Sequence, residues 1–569
     1  MMSDNHTTTH ADVTDDAIRL RLFVNGEILT AKPGFEDEPQ PQALLTDADG
    51  RIAFVGDEDE ARARAADLDG VEERDLDGAA LLPGFIDAHG HLSAIAHYFT
   101  TADLHDSVDI DDVVNRLRDF AERRHIDAGG IIIGNGYDQN TLAGGQHPTR
   151  HDLDRVSTTI PVVAVHVSGH VLAANTKALE VSGIHLDDPD PFGGTFGRDE
   201  NGLINGFAAE KAAWRIRAVA AERSVVDFDE LGDATQDVYL SNGITTAQDG
   251  ASGRQPIADF ARFGNRHGLR LDVVAYPVSG RDSDGVLDDY ATYVGKNYHH
   301  GLRIGGLKVV LDGSPQARTA WVTEPYTPGP EGEGYRGGPS VSEEDVYQAA
   351  RRTIDNNLQL IVHTNGDAAS DRFLDAYERA LTDSPNPGKR DLHPVMIHSQ
   401  LARRDQLERL GRLGGIPSFF VAHTWYWGDV HVKNFGARRG GRISAAGDAK
   451  RLGLRYTFHN DSPIIKPNLL DTIWAGATRR TKSGRQLDLD QRVSVADGIR
   501  AITANAAYQY GEEHNKGTLE AGKLADLAIV EKNPLSVPLD ETGAPDESLR
   551  ALKVLETIKN GRTAWVREA

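Results

Sequence analysis

The sequence of 569 residues predicts an α/β protein with a (β/α)8 TIM-type barrel, a composite β-sandwich built from both termini, and an insertion after barrel strand 1. Two observations lead to this fold class. Apolar strand patterns alternate with helical patterns through the middle of the chain, which is typical of a parallel sheet. Short strand patterns also cluster at both ends. The chain is too long for one simple core, so several domains are expected.

Both ends of the chain contain strand patterns of the predicted sandwich. The first pattern alternates apolar and polar residues over 19–27 and includes an Asn-Gly hairpin signal at 25–26. The later strand patterns at the two ends cover 43–45, 51–55, 525–530, 554–558 and 563–566. We expect residues 19–78 and 513–569 to form the two parts of the sandwich. Residues 1–18 are polar and acidic, which predicts a disordered tail and no secretory signal.

Residues 79–512 contain the predicted barrel. Its first strand is the apolar run before His89, and seven further strand patterns lie at 244–248, 271–276, 306–311, 358–363, 394–398, 416–422 and 454–459. Helical patterns fit between them, for example at 343–356, 371–381, 405–413 and 495–509. Eight such units predict a barrel whose chemistry lies at the carboxyl ends of the strands. The segment at about 101–220 interrupts the first unit and is predicted to form a lid or a substrate subdomain.

The composition excludes several classes of function. With 86 acidic and 61 basic residues the net charge is −25, which argues against nucleic acid or an anionic membrane as a partner. The chain has no cysteine, so any metal must use histidine, carboxylate or modified lysine ligands. No apolar run reaches the roughly 20 residues of a membrane helix, so a soluble cytoplasmic protein is expected. The acidic surface suits a high-salt host, or simply an acidic cytosolic enzyme.

The stretch 81–92 is an apolar strand pattern that ends in His89, Gly90 and His91. Strand residues two apart point to the same side, so both imidazoles can face one point if the strand continues that far. Two imidazoles at the end of a buried strand suit a transition metal such as zinc. A histidine-rich turn without a ligand is the alternative for an isolated His-x-His.

Other predicted strands also carry side chains that bind metals. His363, His398 and Asp461 stand at or after the ends of strands five, six and eight, and Lys308 lies inside the apolar run of strand four. Four histidines, a lysine and an aspartate at the ends of different strands of one barrel predict a metal site. A buried lysine is costly, because desolvation disfavours the ammonium. Lys308 is therefore expected either to pair with Asp312 or Asp461, or to carry a modification that binds metal.

The chain resembles the amidohydrolase superfamily, in the amidohydrolase-3 branch of YtcJ-like and N-substituted formamide deformylase-like proteins. The matching motifs cover nearly all of the chain after residue 18. They lie at 83–91 (Pro-Gly-Phe-Ile-Asp-Ala-His-Gly-His), 147–154, 167–170 (Val-Ser-Gly-His), 243–246, 312–314 (Asp-Gly-Ser), 318–320, 363–368, 461–463 (Asp-Ser-Pro) and 517–526. The resemblance implies a (β/α)8 barrel with a composite β-sandwich and an insertion after the first strand, in agreement with the strand and helix patterns.

The resemblance also implies one or two divalent ions, zinc in particular, and their ligands. The implied ligands are His89, His91, Lys308, His363, His398 and Asp461. The first two histidines would bind the more buried ion with Asp461, the carbamate of Lys308 would bridge two ions, and the other two histidines would hold the second. Strand eight departs from the usual Gly-Ser-Asp, because it has His459 and Asn460 before the aspartate. The aspartate ligand, Asp461, is kept, but the neighbouring wall of the pocket differs from that of the family.

The predicted activity is hydrolysis by metal-activated hydroxide, because a bound metal lowers the pKa of water toward about 7 and polarises a carbonyl. Asp461 would take a proton during attack and return it to the leaving amine. His398 or His423 would stabilise the developing oxyanion. The candidate substrate contacts, from family analogy and from the aromatic run after strand seven, are Tyr137, Asp138, His170 and Trp425.

Three functions remain open from the sequence. The leading one is a metal-dependent hydrolase of a linear, non-peptide C–N amide bond, with an N-substituted formamide as the candidate substrate. The same site would also serve a cyclic amide, a carbamate or an ester. The third is a catalytically silent binding protein, which the loss of a ligand would have favoured. The expected partners are a small-molecule amide substrate and, from the family, a second copy of the chain in a homodimer.

Overall fold

The computed structural model describes residues 18–224, 227–386 and 391–568, so the predicted acidic tail, apart from Ile18, lies outside the described residues. The strands are β1 Arg21–Val24, β2 Glu27–Ile28, β3 Ala43–Thr46, β4 Ile52–Gly56, β5 Glu72–Asp75, β6 Ala80–Pro83, β7 Phe85–Ile86, β8 Ala102–Asp103, β9 Ile132–Tyr137, β10 Val162–His166, β11 Val171–Ala174, β12 Gly194–Arg198, β13 Ile204–Glu210, β14 Ile244–Ser252, β15 Asp272–Pro277, β16 Leu302–Ile304, β17 Gly306–Val310, β18 Gln359–Thr364, β19 Val395–His398, β20 Ile416–Phe419, β21 Thr457–Phe458, β22 Leu527–Val530, β23 Val554–Lys559 and β24 Arg562–Val566.

The α-helices are α1 Glu58–Ala66, α2 Leu92–Tyr98, α3 Ile110–Arg123, α4 Arg150–Asp154, α5 Thr176–Val181, α6 Lys211–Arg223, α7 Phe228–Leu240, α8 Arg254–His267, α9 Arg281–Asp289, α10 Glu343–Asp355, α11 Asp367–Asp383, α12 Arg404–Arg412, α13 His423–Gly441, α14 Ala446–Arg451, α15 Leu469–Thr478, α16 Val495–Ala501, α17 Ala504–Gln509 and α18 Ser548–Ala551. Within the described part of the chain, no helix is both long enough and apolar enough to cross a membrane.

The chain divides into two compact units. The smaller unit contains Ala94–Leu231 and Val310–Ser342. The larger unit contains the described residues up to Ser93, the segment Gly232–Val309, and the chain from Glu343 onward. The predicted insertion at about 101–220 lies inside the smaller unit, which also includes the segment that follows β17.

A six-stranded sheet forms the smaller unit, with the strand order β12-β13-β11-β10-β9-β8. Strands β8, β9 and β10 run parallel, whereas β11, β12 and β13 pair in antiparallel fashion. Successive residues of a strand point to opposite faces. Val163 of β10 accordingly packs in one cluster with Ala213 and Ile216 of α6, while Val162 packs in another with Leu117 of α3. Helices on both faces therefore bury this sheet.

Two parallel sheets lie at the core of the larger unit. Their strand orders are β16-β15-β14-β7 and β17-β18-β19-β20-β21, so spatial order follows chain order in both. Neighbouring strands run parallel from β7 to β16 and from β18 to β21. Strands β18 and β19 are buried along their whole length, as expected for strands covered on both faces. The helices α8, α10, α11 and α12 separate successive strands in the chain, as the sequence patterns predict.

Backbone contacts join the two parallel sheets at their edges. Gly305 connects β16 directly to β17, and its carbonyl accepts a hydrogen bond of 3.1 Å from the amide of Gln359 in β18. Val278, just after β15, forms a parallel bridge with Lys308 in β17. At the other edge, backbone amides and carbonyls of the loop after β7 bond to those of the loop after β21.

Both chain ends contribute to two further sheets of the larger unit. One sheet has the order β4-β3-β1-β5, and the other has the order β2-β6-β22-β23-β24. In the second sheet β6 pairs in antiparallel register with β22, so that Leu81 lies opposite Ile529. Side chains of both sheets share one hydrophobic cluster, which includes Phe23, Leu44 and Leu527. The strand patterns at the two termini thus belong to sheets that pack on a common core.

The structure differs from the predicted elements at several boundaries. The strand predicted to be the first of the barrel, β7, ends at Ile86, before the two histidines that it was predicted to carry. The predicted strand 416–422 ends at Phe419. The predicted helix 495–509 is two helices, α16 and α17, because the backbone of Thr503 between them leaves the helical region at φ −133° and ψ −91°.

Candidate metal centre

His89 and His91 lie in the loop after β7, and backbone contacts with distant loops hold this segment. The His91 amide donates to the Ser462 carbonyl at 2.7 Å, and the Asp461 amide donates to the His89 carbonyl at 3.1 Å. His91 also forms an antiparallel bridge with Asp249 of β14. The two imidazoles therefore converge through long-range backbone pairing. Alternation along a continuing strand, which the sequence pattern suggested, is not the cause.

Three side chains meet as candidate metal ligands. The Oδ1 atom of Asp461 lies 3.1 Å from Nε2 of His91 and 3.5 Å from Nε2 of His89. One ligand atom from each of these residues lies within 4.8 Å of the other two. Two imidazole nitrogens and a carboxylate oxygen at this spacing suit zinc or a similar divalent ion. This donor set fits the ion that the family resemblance implies.

The protonation states in this cluster favour metal binding. Burial lowers the pKa of His89 well below its usual value, so the ring is neutral. Burial alone would raise the pKa of Asp461, but the hydrogen bond and the charge of His91 outweigh it and lower the pKa. Asp461 is therefore an ionised carboxylate. Its backbone lies in the left-handed region at φ 53°, a strained conformation of the kind that clusters at functional sites.

Gln248 of β14 fixes the tautomer of His89. The Gln248 side-chain nitrogen donates to the Ala88 carbonyl at 3.0 Å and to the Tyr510 hydroxyl at 2.9 Å. Its oxygen therefore faces His89, where it lies 2.5 Å from Nδ1. A carbonyl oxygen can only accept, so Nδ1 of His89 carries the proton and Nε2 keeps its lone pair. Nothing in the local sequence pattern identifies Gln248, except that it is a polar residue inside a buried strand.

Lys308 of β17 is buried beside this cluster. Its Nζ lies 3.2 Å from Nε2 of His89, and the residue is only 1% exposed. Burial lowers the pKa of Lys308 to about 7, although the charge of Asp461 acts in the opposite direction. A large neutral fraction at pH 7 follows.

The remaining predicted ligands, His363 and His398, join the same cluster. Their ring centroids are 4.6 Å apart, and Nε2 of His398 lies 4.0 Å from Oδ2 of Asp461. The His398 ring also contacts that of His89 at 5.5 Å between centroids. Burial lowers the pKa of His398 well below its usual value. The structure thus brings all six predicted ligands into one connected group.

His459 completes the histidine group, although the family resemblance places it only in the pocket wall. It is fully buried, and its Nε2 lies 3.1 Å from Nδ1 of His398. Its Nδ1 lies 2.8 Å from the hydroxyl oxygen of Ser418 in β20. Ser418 carries no signal in the sequence beyond being a polar residue in an apolar strand.

His423 is the first residue of α13. Its ring stacks on that of His431 at 5.2 Å, with His423 Nδ1 and His431 Nε2 3.0 Å apart. The ring of Phe420 contacts both His423, at 4.4 Å, and His398, at 6.1 Å. One nitrogen of His423 is thus engaged by a second histidine, a partner that the sequence analysis did not identify.

The three candidate substrate contacts of the insertion belong to the smaller unit. Tyr137, at the end of β9, bonds through its hydroxyl to Nδ1 of His147 at 2.9 Å. Asp138 lies 3.6 Å from Nε2 of His166, which keeps its pKa low despite burial. The third candidate, His170, faces Glu210 at 3.1 Å. Burial opposes a charge on His170, but the Glu210 carboxylate outweighs it and raises the pKa.

Trp425, the remaining candidate substrate contact, belongs to an aromatic cluster in the larger unit. Its ring packs edge-on against Trp474 at 5.0 Å, and the guanidinium of Arg550 lies over both rings at 4.8 and 4.5 Å. The two tryptophans line a cavity of about 310 Å³ together with Lys482 and Asp540. The Trp425 ring therefore contacts neighbouring side chains of the protein as well as this cavity.

Comparison with known proteins identifies the family. The family model described as amidohydrolase family matches residues 72–564. The N-substituted formamide deformylase of Arthrobacter pascens is 28% identical over 91% of this chain and 94% of its own length. The putative amidohydrolase YtcJ of Bacillus subtilis (strain 168) is 24% identical over 87% and 90%. An uncharacterized metal-dependent hydrolase from Pyrococcus horikoshii OT3 has a crystal structure with a TM-score of 0.72, 26% identity and coverage of 91% and 98%. The chain belongs to the amidohydrolase family.

Proposed function

We propose that this protein is a metal-dependent hydrolase of a linear, non-peptide C–N amide bond, with an N-substituted formamide as the candidate substrate. One observation carries the proposal: His89, His91 and Asp461 place three ligand atoms within 4.8 Å of one another. The relative from Arthrobacter pascens, named N-substituted formamide deformylase, supports the choice of bond at 28% identity. Zinc is the proposed metal because the donors are imidazole and carboxylate groups.

The fold that we propose around this site is a closed (β/α)8 barrel. The continuity through Gly305 supports closure at one edge of the two parallel sheets, and the His91–Ser462 backbone bond of 2.7 Å supports it at the other. We further propose that the two sheets at the chain termini form a composite β-sandwich, on the basis of their shared hydrophobic cluster. This architecture would set all six candidate ligands at the carboxyl ends of barrel strands.

Within this site, His89, His91 and Asp461 would hold the more buried ion. His363 and His398 would hold a second ion where two are bound. A bound divalent ion would supply Lewis acidity, which makes water a nucleophile near neutral pH and polarises a carbonyl. Asp461 is ionised, so it can accept the proton that the attacking water loses and return it to the nitrogen of the leaving amine.

Lys308 is proposed to bridge two ions as a carbamate. A neutral amine is required to attack carbon dioxide, because its lone pair forms the new N–C bond and a proton is then released. The lowered pKa of Lys308, about 7, supports this step. Its Nζ lies 3.2 Å from His89 Nε2, close enough for a carboxylate built on it to reach the same ion.

The remaining candidates concern the substrate. His398 or His423 would stabilise the developing oxyanion, and the His431 contact at Nδ1 leaves only Nε2 of His423 for that purpose. Tyr137, Asp138 and His170 stay proposed as substrate contacts of the smaller unit. Trp425 stays proposed as a contact for an apolar substituent of the substrate. Its ring already packs against Trp474 and against the guanidinium of Arg550.

A substrate panel tests the proposal. The purified protein would be assayed on aryl and alkyl N-substituted formamides, with formate and amine measured together, and on cyclic amides, carbamates and esters. We expect stoichiometric formate and amine, and loss of both after chelation of the metal. Turnover of only the cyclic amides, carbamates or esters would contradict the substrate class. Stoichiometric bound metal with no turnover on the whole panel would instead indicate a binding protein.

A further inference from the structure

His459 has both ring nitrogens engaged in a buried chain of hydrogen bonds. Its Nδ1 lies 2.8 Å from Ser418 Oγ, and its Nε2 lies 3.1 Å from His398 Nδ1. The other nitrogen of His398, Nε2, points toward the carboxylate of Asp461 at 4.0 Å. Ser418, His398 and His459 are at most 3% exposed, so water does not readily replace any partner in the chain.

Only two arrangements of protons satisfy this chain when both rings are neutral. In the first, Ser418 donates to Nδ1 of His459, Nε2 of His459 donates to Nδ1 of His398, and Nε2 of His398 carries a hydrogen toward Asp461. In the second, Nδ1 of His398 donates to Nε2 of His459, and Nδ1 of His459 donates to Ser418. Both rings are buried, and burial disfavours the charged form of an imidazole.

The two arrangements differ in what His398 offers to the candidate metal centre. In the first, Nε2 of His398 is a hydrogen-bond donor and cannot ligate a cation. In the second, Nε2 has a free lone pair, because the ring proton has moved to Nδ1. A ligand histidine needs a partner for its other ring N–H, and that partner sets the tautomer and the ring orientation. His459 is that partner here.

We infer that His459 is a positioning residue for the metal centre: it accepts the Nδ1 hydrogen of His398, and so presents the Nε2 lone pair of His398 to a divalent ion. Ser418 supports it by accepting the Nδ1 hydrogen of His459. The inference rests on the proposed function, because it assumes that His398 contacts a metal. It assigns a function to His459 and Ser418, which are neither proposed metal ligands nor the proposed proton acceptor.

Four variants test this role through metal binding and not through turnover alone. His398→Ala defines which Zn²⁺ ion depends on His398. His459→Leu removes the acceptor, and His459→Gln restores one through its amide oxygen. Ser418→Ala removes the support at the far end. The matched control is His431→Gln, which replaces another fully buried, neutral histidine outside this chain. Each protein is titrated with Zn²⁺ against a chelator, its Co²⁺ form is examined by visible absorption, and its metal-free form is melted.

We expect His459→Leu to weaken binding of the His398-dependent ion by about 10–100-fold, the usual cost of losing such a partner, and to change the Co²⁺ spectrum. His459→Gln should recover most of the affinity, and Ser418→Ala should lose a smaller part. His431→Gln should match the wild type in Zn²⁺ affinity and in the Co²⁺ spectrum. Wild-type affinity and spectrum in His459→Leu, or equal losses in the Leu and Gln variants, would overturn the inference.

Two further outcomes separate this inference from the proposed function. If the wild-type protein binds no divalent ion, the proposed function fails first, and the role of His459 fails with it. If the wild type binds metal and His459→Leu does not fold, Ser418→Ala decides. Weakened binding by a Ser418→Ala protein that melts like the wild type supports the chain of hydrogen bonds, whereas unchanged binding contradicts it.

Discussion

His91 Nε2 lies 3.1 Å from Asp461 Oδ1, although His91 follows the first strand of one parallel sheet and Asp461 follows the last strand of the other. The backbone bond from the His91 amide to the Ser462 carbonyl reinforces this contact. A ligand pair shared between two loops can form only when the chain has folded. We therefore expect the metal centre to be absent from the unfolded chain, and bound metal to stabilise the native state.

Replacing Asp461 by Asn removes the charge and the proton acceptor while keeping the shape of the side chain. We expect kcat to fall by about 10²–10⁴-fold, the range attributed to general acid–base catalysis. Steady-state kinetics on an N-substituted formamide, with metal content measured in parallel, checks this. Asp405→Asn, at an exposed carboxylate that pairs with Arg403, is the control and should retain wild-type activity. A fully active Asp461→Asn protein would contradict the proton role.

Replacing Lys308 by Ala tests the proposed carbamate. We expect at least one fewer divalent ion per chain and strongly reduced activity, because the buried amine would no longer provide a bridging group. Elemental analysis of the purified variant and of Lys450→Ala, a half-exposed lysine that pairs with Asp497, provides the comparison. Unchanged metal content and activity in Lys308→Ala would contradict the proposed bridging role of Lys308.

The buried side chain of His431 is expected to make the stability of the folded protein depend on pH. Burial lowers its pKa from 6.5 to about 3, so the unfolded chain binds more protons than the folded protein between these values. Stability should therefore fall as the pH drops below about 6.5, with each such histidine contributing about 1.4 kcal/mol per pH unit. His431→Gln in the metal-free protein should reduce that slope in urea unfolding between about pH 6.5 and pH 4. An unchanged slope would show that this group does not titrate on unfolding.

A buried ionic cluster predicts a large stability effect away from the site. Asp272 bonds to both Lys516 and Lys559, and these charges outweigh burial and lower its pKa to about 2. Asp272→Asn should cost about 3 kcal/mol, the lower end of the range for breaking a buried pair, because Lys516 keeps Glu512 as a partner. The surface variant Glu58→Gln should stay within about 0.5 kcal/mol.

The carboxylate of Asp272 is also expected to make the folded protein less stable in acid. A depressed pKa means that the contribution of Asp272 is complete above its ordinary value of 3.8 and is lost as the pH falls toward about 2. Denaturant unfolding across this window should show a shallower loss in Asp272→Asn than in the wild type. Equal losses in the two proteins would contradict a role for this ion pair.

The sequence alone predicted the ligand types and the strand–helix alternation, because both have local signatures. His89 and His91 are recognisable by their spacing. Lys308 is recognisable because a charged side chain inside an apolar run is energetically unfavourable. The reason for the convergence of His89 and His91 was not predictable, since the strand ends at Ile86 and contacts with Ser462 complete the geometry.

The hydrogen-bond partners of the candidate ligands could not be predicted from the sequence either. Gln248 and Ser418 are single polar residues within buried strands, and only the pairing of neighbouring strands brings them to His89 and His459. His459 was visible as a departure from the family motif, but its bond to His398 depends on ring orientations that no local pattern encodes. Residues that support a site from adjacent strands are therefore the part that requires a structure.

The metal content of the purified protein is the decisive test of whether His89, His91 and Asp461 bind a divalent ion. Elemental analysis of the wild type and of His91→Ala, measured at equal protein concentration, counts divalent ions per chain. His91 is a suitable position because its side chain is 27% exposed, which limits damage to the fold. We expect one or two ions per wild-type chain and the loss of at least one in His91→Ala. A wild-type protein without a divalent ion, or a variant with undiminished metal, would contradict it.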